Sequence, residues 1–130
     1  LDMAWHDRPT ETLVQDVDAF EAEALKRFGV AMPEVPPRYR STYFSHIWAS
    51  GYAAGYYAYL WSEVLDDDAY AWFEEHGGMT RENGQRFRDM ILSRGNTRDL
   101  GTLYRKFRGR EPSVQPLLEQ RGLTTSPGEK

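Results

Sequence analysis

The segment that decides the fold is AAGYYAYLWSEVLDDDAYAWFEEHGG, residues 53–78. Its apolar side chains recur at helical spacing and two glycines, Gly77 and Gly78, close it, so the sequence predicts a helix over about 53–75. At about 100° per residue, one face of this helix is apolar, and we expect that face to lie in the core. Its members are Tyr57, Leu60, Trp61, Val64 and Leu65.

The opposite face of the same predicted helix carries a row of phenols that ends in a carboxylate: Tyr52, Tyr56, Tyr59 and Glu63. A phenol is a hydrogen-bond donor on a rigid apolar body, so the row fits either of two interpretations. It is ordinary packing with hydroxyls that reach water, or it is a groove for a peptide or ligand, since Gly51 and its small neighbours allow close approach. His46 also has two interpretations: it is a histidine of the core, or it is a hydrogen-bond donor and general acid/base of the groove.

Outward from this segment, the patterns predict an all-α fold of about five helices with short loops. A first helix over 13–28 has Thr10 as its N-cap, and residues 30–40 form a proline-containing extended connector. Residues 43–51 predict a short strand or an irregular loop. The three later helices have Thr80, Thr97 and Ser113 as N-caps and stop at Gly95, Gly109 and Gly122. We expect one helical segment, residues 1–123, followed by a flexible tail, residues 124–130.

Composition excludes several classes of protein. The 130 residues contain no cysteine, which excludes a disulfide framework, a thiol nucleophile and a cysteine-ligated metal. No apolar run reaches the 18 or more residues of a membrane span, and the first residues lack a signal-peptide pattern, so we expect a cytoplasmic protein without membrane contact.

Charge is distributed unevenly along the chain. Residues 1–78 hold 5 basic and 14 acidic side chains, whereas residues 79–123 hold 10 basic and 5 acidic ones. The basic segment could meet phosphate or carboxylate groups, or its arginines could lie on solvated helix faces and pair with acidic residues.

Motifs for metal or nucleophilic catalysis are missing from the sequence. His6, His46 and His76 are too far apart for a His-Glu-x-x-His site, and the acidic triplet 66–68 has no EF-hand spacing around it. No phosphate-binding glycine loop or nucleophile elbow is present. The residues alone predict a binding surface and no metal site.

Five stretches together resemble one enzyme family, the thimet oligopeptidase-like zinc metallopeptidases, and within it the bacterial peptidyl-dipeptidase branch. The long tyrosine motif YFSHIWASGYAAGYYAYLWSE, residues 43–63, is the most specific of them. The others are LDMAWH (1–6), GMTRENGQRFRDMILSRG (78–95), LYRKFRGREP (103–112) and LLEQRGL (117–123). The resemblance covers nearly the whole chain.

The resemblance implies a longer, mostly helical parent that hydrolyses oligopeptides with zinc, of which this chain is the C-terminal part. Members of the family hold zinc with a His-Glu-x-x-His motif and a later Glu, and that motif is absent from these residues. The chain alone is therefore expected to bind no zinc and to be inactive. Its partners would be the oligopeptide substrate and the remainder of the peptidase chain.

The resemblance also assigns roles to residues of the tyrosine motif. His46 matches a histidine that hydrogen-bonds the peptide near the scissile bond, and Tyr59 matches a tyrosine that supports the oxyanion. Gly51 and Tyr52 match a mobile loop whose tyrosine contacts substrate, and Tyr56 matches a further tyrosine of the channel. The five residues between His46 and Tyr52 favour the peptidyl-dipeptidase branch.

The competing interpretation is a stand-alone helical module without catalytic activity. It would bind a protein through the tyrosine surface, or nucleic acid through the arginines of residues 79–123. The nucleic-acid alternative is supported by charge alone. If the chain folds alone, we also expect self-association through uncovered apolar patches.

Overall fold

The computed structural model describes residues 1–9 and 11–124 and divides the chain into two compact units, Leu1–Ala58 and Tyr59–Lys130. In the described residues, all regular structure is helical, which confirms the all-α prediction. None of the helices in this part of the chain is long and apolar enough to cross a membrane. The prediction of one segment over 1–123 stays a prediction, and residues 125–130 of the predicted tail lie outside the described residues.

In its described residues, the first unit contains three α-helices and one 3₁₀ turn. They are α1 (Asp2–His6), α2 (Val17–Arg27), the 3₁₀ turn Ser41–Tyr43 and α3 (Ser45–Ala49). The segment 43–51 is thus mainly helical, and the prediction of a strand or irregular loop was wrong. Phe44, at the N-cap of α3, and Ile47, within its first turn, are both buried, so this helix packs its apolar side chains into the first unit.

Helix α2 begins later than its apolar spacing predicts. The carboxylate of Asp16 accepts a hydrogen bond from the backbone N–H of Ala19 at 2.9 Å, so Asp16 is the N-cap. The predicted N-cap, Thr10, lies outside the described residues. The predicted stop is confirmed, since Gly29 follows the helix with a φ of +69°.

Asp16→Ala is expected to destabilise the first unit by about 1 kcal/mol, because it removes the side-chain acceptor at the start of α2. Asp16→Asn keeps an acceptor of nearly equal capping strength and is the matched control. Urea denaturation of both variants measures the difference, and equal stabilities would show that the cap contributes nothing.

Aromatic packing and one buried carboxylate join the helices of the first unit. The Trp5 ring of α1 lies 4.1 Å from Phe20 of α2 and 5.4 Å from Trp48 of α3, measured between ring centroids. Glu21 is buried and accepts hydrogen bonds from the backbone N–H and hydroxyl of Ser41 at 2.8 and 2.9 Å. It also forms an ion pair with Arg40, which compensates the cost of burying its charge.

Up to residue 124, the second unit holds four α-helices: α4 (Ala58–Glu75), which starts at the last residue of the first unit, α5 (Arg81–Phe87), α6 (Leu100–Arg108) and α7 (Gln115–Gln120). A π-helical turn, Arg88–Leu92, continues α5. The predicted cap of α5 is confirmed, because the Thr80 hydroxyl accepts from the N–H of Asn83. Asp99 caps α6 in place of the predicted Thr97, and its oxygen accepts from the N–H of Thr102 at 2.7 Å.

The last helix follows its predicted cap closely. The Ser113 hydroxyl accepts from the N–H of Gln115 at 3.1 Å, although Val114 holds the N-cap position. Gly109 and Gly122 follow α6 and α7 with positive φ values, as the predicted stops require.

Helix α4 is buried along its C-terminal half, whereas the sequence pattern placed its core contacts in the N-terminal half. Its buried residues are Asp68, Ala69, Trp72 and Phe73, on the C-terminal half of the helix. Leu60 and Trp61, which were expected in the core, are about half exposed, and Tyr57 precedes the helix and is 68% exposed. Trp72, one turn after Asp68, lies in the core of this unit.

The core of the second unit is aromatic. Ala69, Trp72 and Phe73 of α4 meet Phe107 of α6, with Trp72 and Phe107 centroids 4.7 Å apart. The outer members of the core are Phe87, Met90, Ile91 and Tyr104. Phe107 is fully buried, so α6 is held against α4 by its apolar face.

Charged groups lie beside this core. Asp68 is fully buried and accepts hydrogen bonds from Arg108, Arg110 and the Tyr104 hydroxyl. Arg108 is buried as well and forms two hydrogen bonds of 2.7 Å with Glu75, which hold the pKa of that carboxyl below its ordinary value. Burial, together with the hydrogen bond to Asp68, raises the pKa of Tyr104.

Candidate functional site

The structure brings four of the five predicted site residues into the first unit. His46 lies in α3, and Gly51, Tyr52 and Tyr56 lie in the loop of residues 50–57 that follows it. Tyr59 belongs to the second unit, where it is the second residue of α4 and is half exposed.

The predicted row of phenols on one helix face is wrong. Helix α4 begins at Ala58, so Tyr52 and Tyr56 stand in the preceding loop and the angular relation that a helix would impose does not apply to them. The carboxylate that was expected to end the row, Glu63, is paired with Arg121 of the second unit at 2.6 Å. Glu63 therefore forms an ion pair within the second unit.

Around His46, aromatic rings form a cluster within the first unit. The centroid of the imidazole lies 4.9 Å from Tyr39, 5.5 Å from Tyr56 and 6.1 Å from Tyr52. Tyr56 also meets Phe44 edge to face at 4.7 Å, and Phe44 is buried. His46 and its tyrosines are partly exposed, so the cluster sits on an apolar base and remains reachable from outside.

Sequence reasoning missed Tyr39 as a member of this cluster. Its ring stacks on Phe44 at 5.3 Å with an interplanar angle of 12°, and its edge faces Tyr56 at 6.3 Å. The residue lies within the predicted proline-containing connector, residues 30–40, and outside the segments that carry the family resemblance. No sequence signal pointed to it.

The loop between α3 and α4 is built from tight turns. Gly51 has a φ of +80°, a conformation that glycine adopts without strain. The N–H of Tyr52 donates to the carbonyl of His46 at 3.2 Å, and the N–H of Gly55 donates to the carbonyl of Tyr52 at 2.8 Å. Ala54 has a φ of +55°, which is uncommon for a residue with a side chain.

Asp2 of α1 is a second residue that sequence reasoning missed. It is buried, and its two carboxylate oxygens accept hydrogen bonds from the backbone N–H groups of Ala54 and Tyr56, each at 2.8 Å. The signal available in the sequence was its place in LDMAWH, one of the segments that resemble the family.

The donors that could hold zinc do not come together in this chain. Among residues 1–9 and 11–124, no group of three His, Asp or Glu side chains could bind a metal ion. The ring of His6 pairs with Asp2 at 2.9 Å, and the ring of His76 meets the carbonyl of Trp72 at 2.7 Å. The described residues therefore do not fit the zinc that the family resemblance implies.

Arginines of the basic segment have partners inside the second unit. Arg86 donates to the backbone carbonyl of Phe107 at 3.1 Å, and Arg105 lies 3.4 Å from Glu111. Arg108, Arg110 and Arg121 pair with Asp68, Glu75 or Glu63. These arginines therefore pair with acidic or backbone groups, and Arg108 is buried instead of lying on a solvated face.

The chemistry available to the His46 cluster is hydrogen bonding to a polar ligand. The imidazole and the three phenols can donate hydrogen bonds, and the phenol ring centroids lie 4.9–6.1 Å from that of the imidazole, on rigid bodies that lose little freedom when they bind. Such a group suits the carbonyl and amide groups of an extended peptide.

Comparison with known proteins gives the family. The model of peptidase family M3 matches residues 1–123. The chain is 58% identical over 123 residues to a dipeptidyl carboxypeptidase of Escherichia coli, which covers 95% of this chain and 18% of that protein. It is 55% identical over 80 residues to an oligopeptidase A of Salmonella typhimurium, covering 62% of this chain and 12% of that protein.

A plant relative extends the range of similar proteins. A probable cytosolic oligopeptidase A of Arabidopsis thaliana is 44% identical over 108 residues, which is 78% of this chain and 15% of that protein. The chain thus spans less than a fifth of the length of these relatives. Since the family match covers nearly every residue and includes the whole tyrosine motif, the resemblance is confirmed: the chain belongs to peptidase family M3.

Proposed function

We propose that the chain is part of a longer zinc metallopeptidase that removes dipeptides from the carboxyl end of oligopeptides. The observation that carries the proposal is the match over 123 residues to a dipeptidyl carboxypeptidase, a name that describes this reaction. The chain corresponds to 18% of that relative, which supports a division of labour within a larger enzyme.

In this proposal, the chain supplies groups that bind the peptide and stabilise developing charge. His46 and Tyr59 act on the reacting peptide bond, where hydrolysis places negative charge on the carbonyl oxygen and donors aimed at that oxygen lower the barrier. Gly51, Tyr52 and Tyr56 bind the peptide beside it. The ring cluster around His46 supports the roles of His46, Tyr52 and Tyr56, because it places hydrogen-bonding groups on a partly exposed surface.

Zinc, in this proposal, is held by residues of the parent outside these 130, since the sequence has no His-Glu-x-x-His motif. The exposed aromatic and apolar side chains of α4, among them Leu60 and Trp61, would then face the remainder of the peptidase. A cytoplasmic location and self-association of the isolated chain stay predictions.

The test is a peptidase assay of the full-length protein that contains this chain. We expect an oligopeptide with a blocked amino terminus to lose dipeptides from its carboxyl end, which mass spectrometry detects directly. A second peptide that differs only in an amidated carboxyl terminus is the matched control, and we expect it to be cleaved poorly.

Three results would count against the proposal. Equal internal cleavage of both peptides would indicate an oligopeptidase that does not recognise the free carboxylate. Absence of any cleavage would exclude the peptidase function. Stoichiometric zinc together with peptidase activity in the 130-residue chain alone would contradict the proposed division of labour.

A further inference from the structure

The carboxylate of Asp2 holds a loop that lies more than fifty residues away in the sequence. Its Oδ1 accepts from the N–H of Ala54 and its Oδ2 accepts from the N–H of Tyr56, both at 2.8 Å. A ring nitrogen of His6 lies 2.9 Å from Oδ1. Asp2 is 7% exposed, so these groups replace the water that a carboxylate would otherwise bind.

The loop of residues 50–57 has a strained backbone that the hydrogen bonds to Asp2 stabilise. Ala54 adopts a φ of +55°, which costs energy in a residue with a Cβ and persists where surrounding contacts fix it. The N–H groups on this turn point toward one side, and a single carboxylate receives two of them. Hydrogen bonds to a charged acceptor are stronger than neutral ones, which suits the role of holding a strained turn.

Helix α1, which carries Asp2, is itself held in place by contacts with the rest of the first unit. In the same short helix, α1, the indole N–H of Trp5 donates to the Ser41 hydroxyl at 2.9 Å, and the Trp5 ring packs on Phe20 at 4.1 Å. Asp2 therefore approaches the loop from an element whose position is fixed by the rest of the first unit.

The loop carries two of the residues that the proposed function places against substrate. Tyr56 donates its own N–H to Asp2, and Tyr52 begins the turn whose other end is Gly55. Both rings face His46, at centroid distances of 5.5 and 6.1 Å. The backbone conformation that Asp2 fixes therefore determines where these two phenols stand relative to the imidazole.

From this geometry we propose that Asp2 is a positioning residue of the peptidase: its carboxylate holds the 51–57 loop so that Tyr52 and Tyr56 meet the substrate beside His46. This inference rests on the proposed function. Asp2 itself does not touch the substrate. It acts through the loop, and a displacement of about 1 Å in such a binding group can lower catalysis by about 100-fold.

The variant that tests the proposal is Asp2→Asn in the full-length protein. Asparagine has nearly the same shape but offers one acceptor in place of two and no charge, so the two N–H groups can no longer both be bound strongly. We expect kcat/KM for the blocked oligopeptide to fall about 10- to 100-fold. We also expect faster amide hydrogen exchange in peptides that cover 51–57, a readout that does not depend on catalysis.

Asp16→Ala is the matched control, because it weakens the first unit at the start of α2 and does not contact the loop. We expect it to lower thermal stability without changing kcat/KM or exchange in residues 51–57. If Asp2→Asn behaves like this control, Asp2 is merely structural and the proposal is overturned.

A double-mutant cycle with Tyr56→Phe gives a second discrimination. If Asp2 acts through the loop, Tyr56→Phe costs less in the Asp2→Asn background than in the wild type, because the phenol is already misplaced. Losses that multiply independently would overturn the proposal. If the full-length wild type has no peptidase activity, the proposed function is overturned instead. If amide hydrogen exchange in residues 51–57 is the same in Asp2→Asn as in the wild type, the positioning role of Asp2 is overturned, whatever the activity.

Discussion

In the full-length peptidase, Tyr59→Phe is expected to lower kcat by on the order of 100-fold or more while KM changes little. The substitution removes one oxygen atom, and loss of one donor to a developing oxyanion has an effect of this size. A donor that strengthens in the transition state acts on kcat, whereas a group that binds substrate and transition state equally acts on KM. Steady-state kinetics with the blocked oligopeptide measure both constants.

Two neighbouring tyrosines provide the controls for this prediction. Tyr57 and Tyr70 are 68% and 56% exposed, and neither was assigned to the site, so Tyr57→Phe and Tyr70→Phe are expected to leave kcat unchanged. Tyr59 is itself half exposed, in the first turn of a helix whose other end is buried, so removal of its hydroxyl should not unfold the chain. An unchanged kcat in Tyr59→Phe would exclude the oxyanion role.

Several helix ends were predictable from the sequence, although α6 is capped by Asp99 and not by the predicted Thr97. Thr80 caps α5 as expected, and Gly77 and Gly78 end α4 with φ values of +88° and +90° because no side chain opposes the left-handed conformation. The start of α4 was not predictable. Ala54 and its neighbours have helical spacing, but their N–H groups are bound by Asp2, which no local pattern reveals.

The candidate site was predictable in its residues and not in its geometry. The tyrosine motif identified His46, Tyr52 and Tyr56, and the structure places their rings within 6.4 Å of one another. Their common position comes from the turns of the loop, whereas the sequence suggested a helix face. Tyr39 joins them through stacking on Phe44, a tertiary contact without a sequence signature.

Buried charge in the second unit was also hidden in the sequence. Asp68 is the last residue of the acidic triplet 66–68, for which the sequence indicated no EF-hand and no other role, yet it is fully buried. Its helical spacing to Trp72, one turn later, places it on the core face of α4. Arg108 pairs with it from α6, directly after the fully buried Phe107.

Arg108→Ala is expected to destabilise the second unit by about 3–5 kcal/mol, because removal of one partner leaves a buried charge incompletely compensated. The guanidinium donates to Asp68 at 3.2 Å and makes two bonds to Glu75, and Arg110 and Tyr104 remain as partners of Asp68 in the variant. Urea denaturation of the 130-residue chain, followed by circular dichroism, measures the change.

The matched control is Arg121→Ala, whose pair with Glu63 is about half exposed and is expected to contribute no more than about 1 kcal/mol. In the double variant Arg108→Met with Asp68→Asn, neither charge remains, so we expect part of the lost stability to return. Equal effects of Arg108→Ala and Arg121→Ala would show that burial adds nothing to the Arg108 pair.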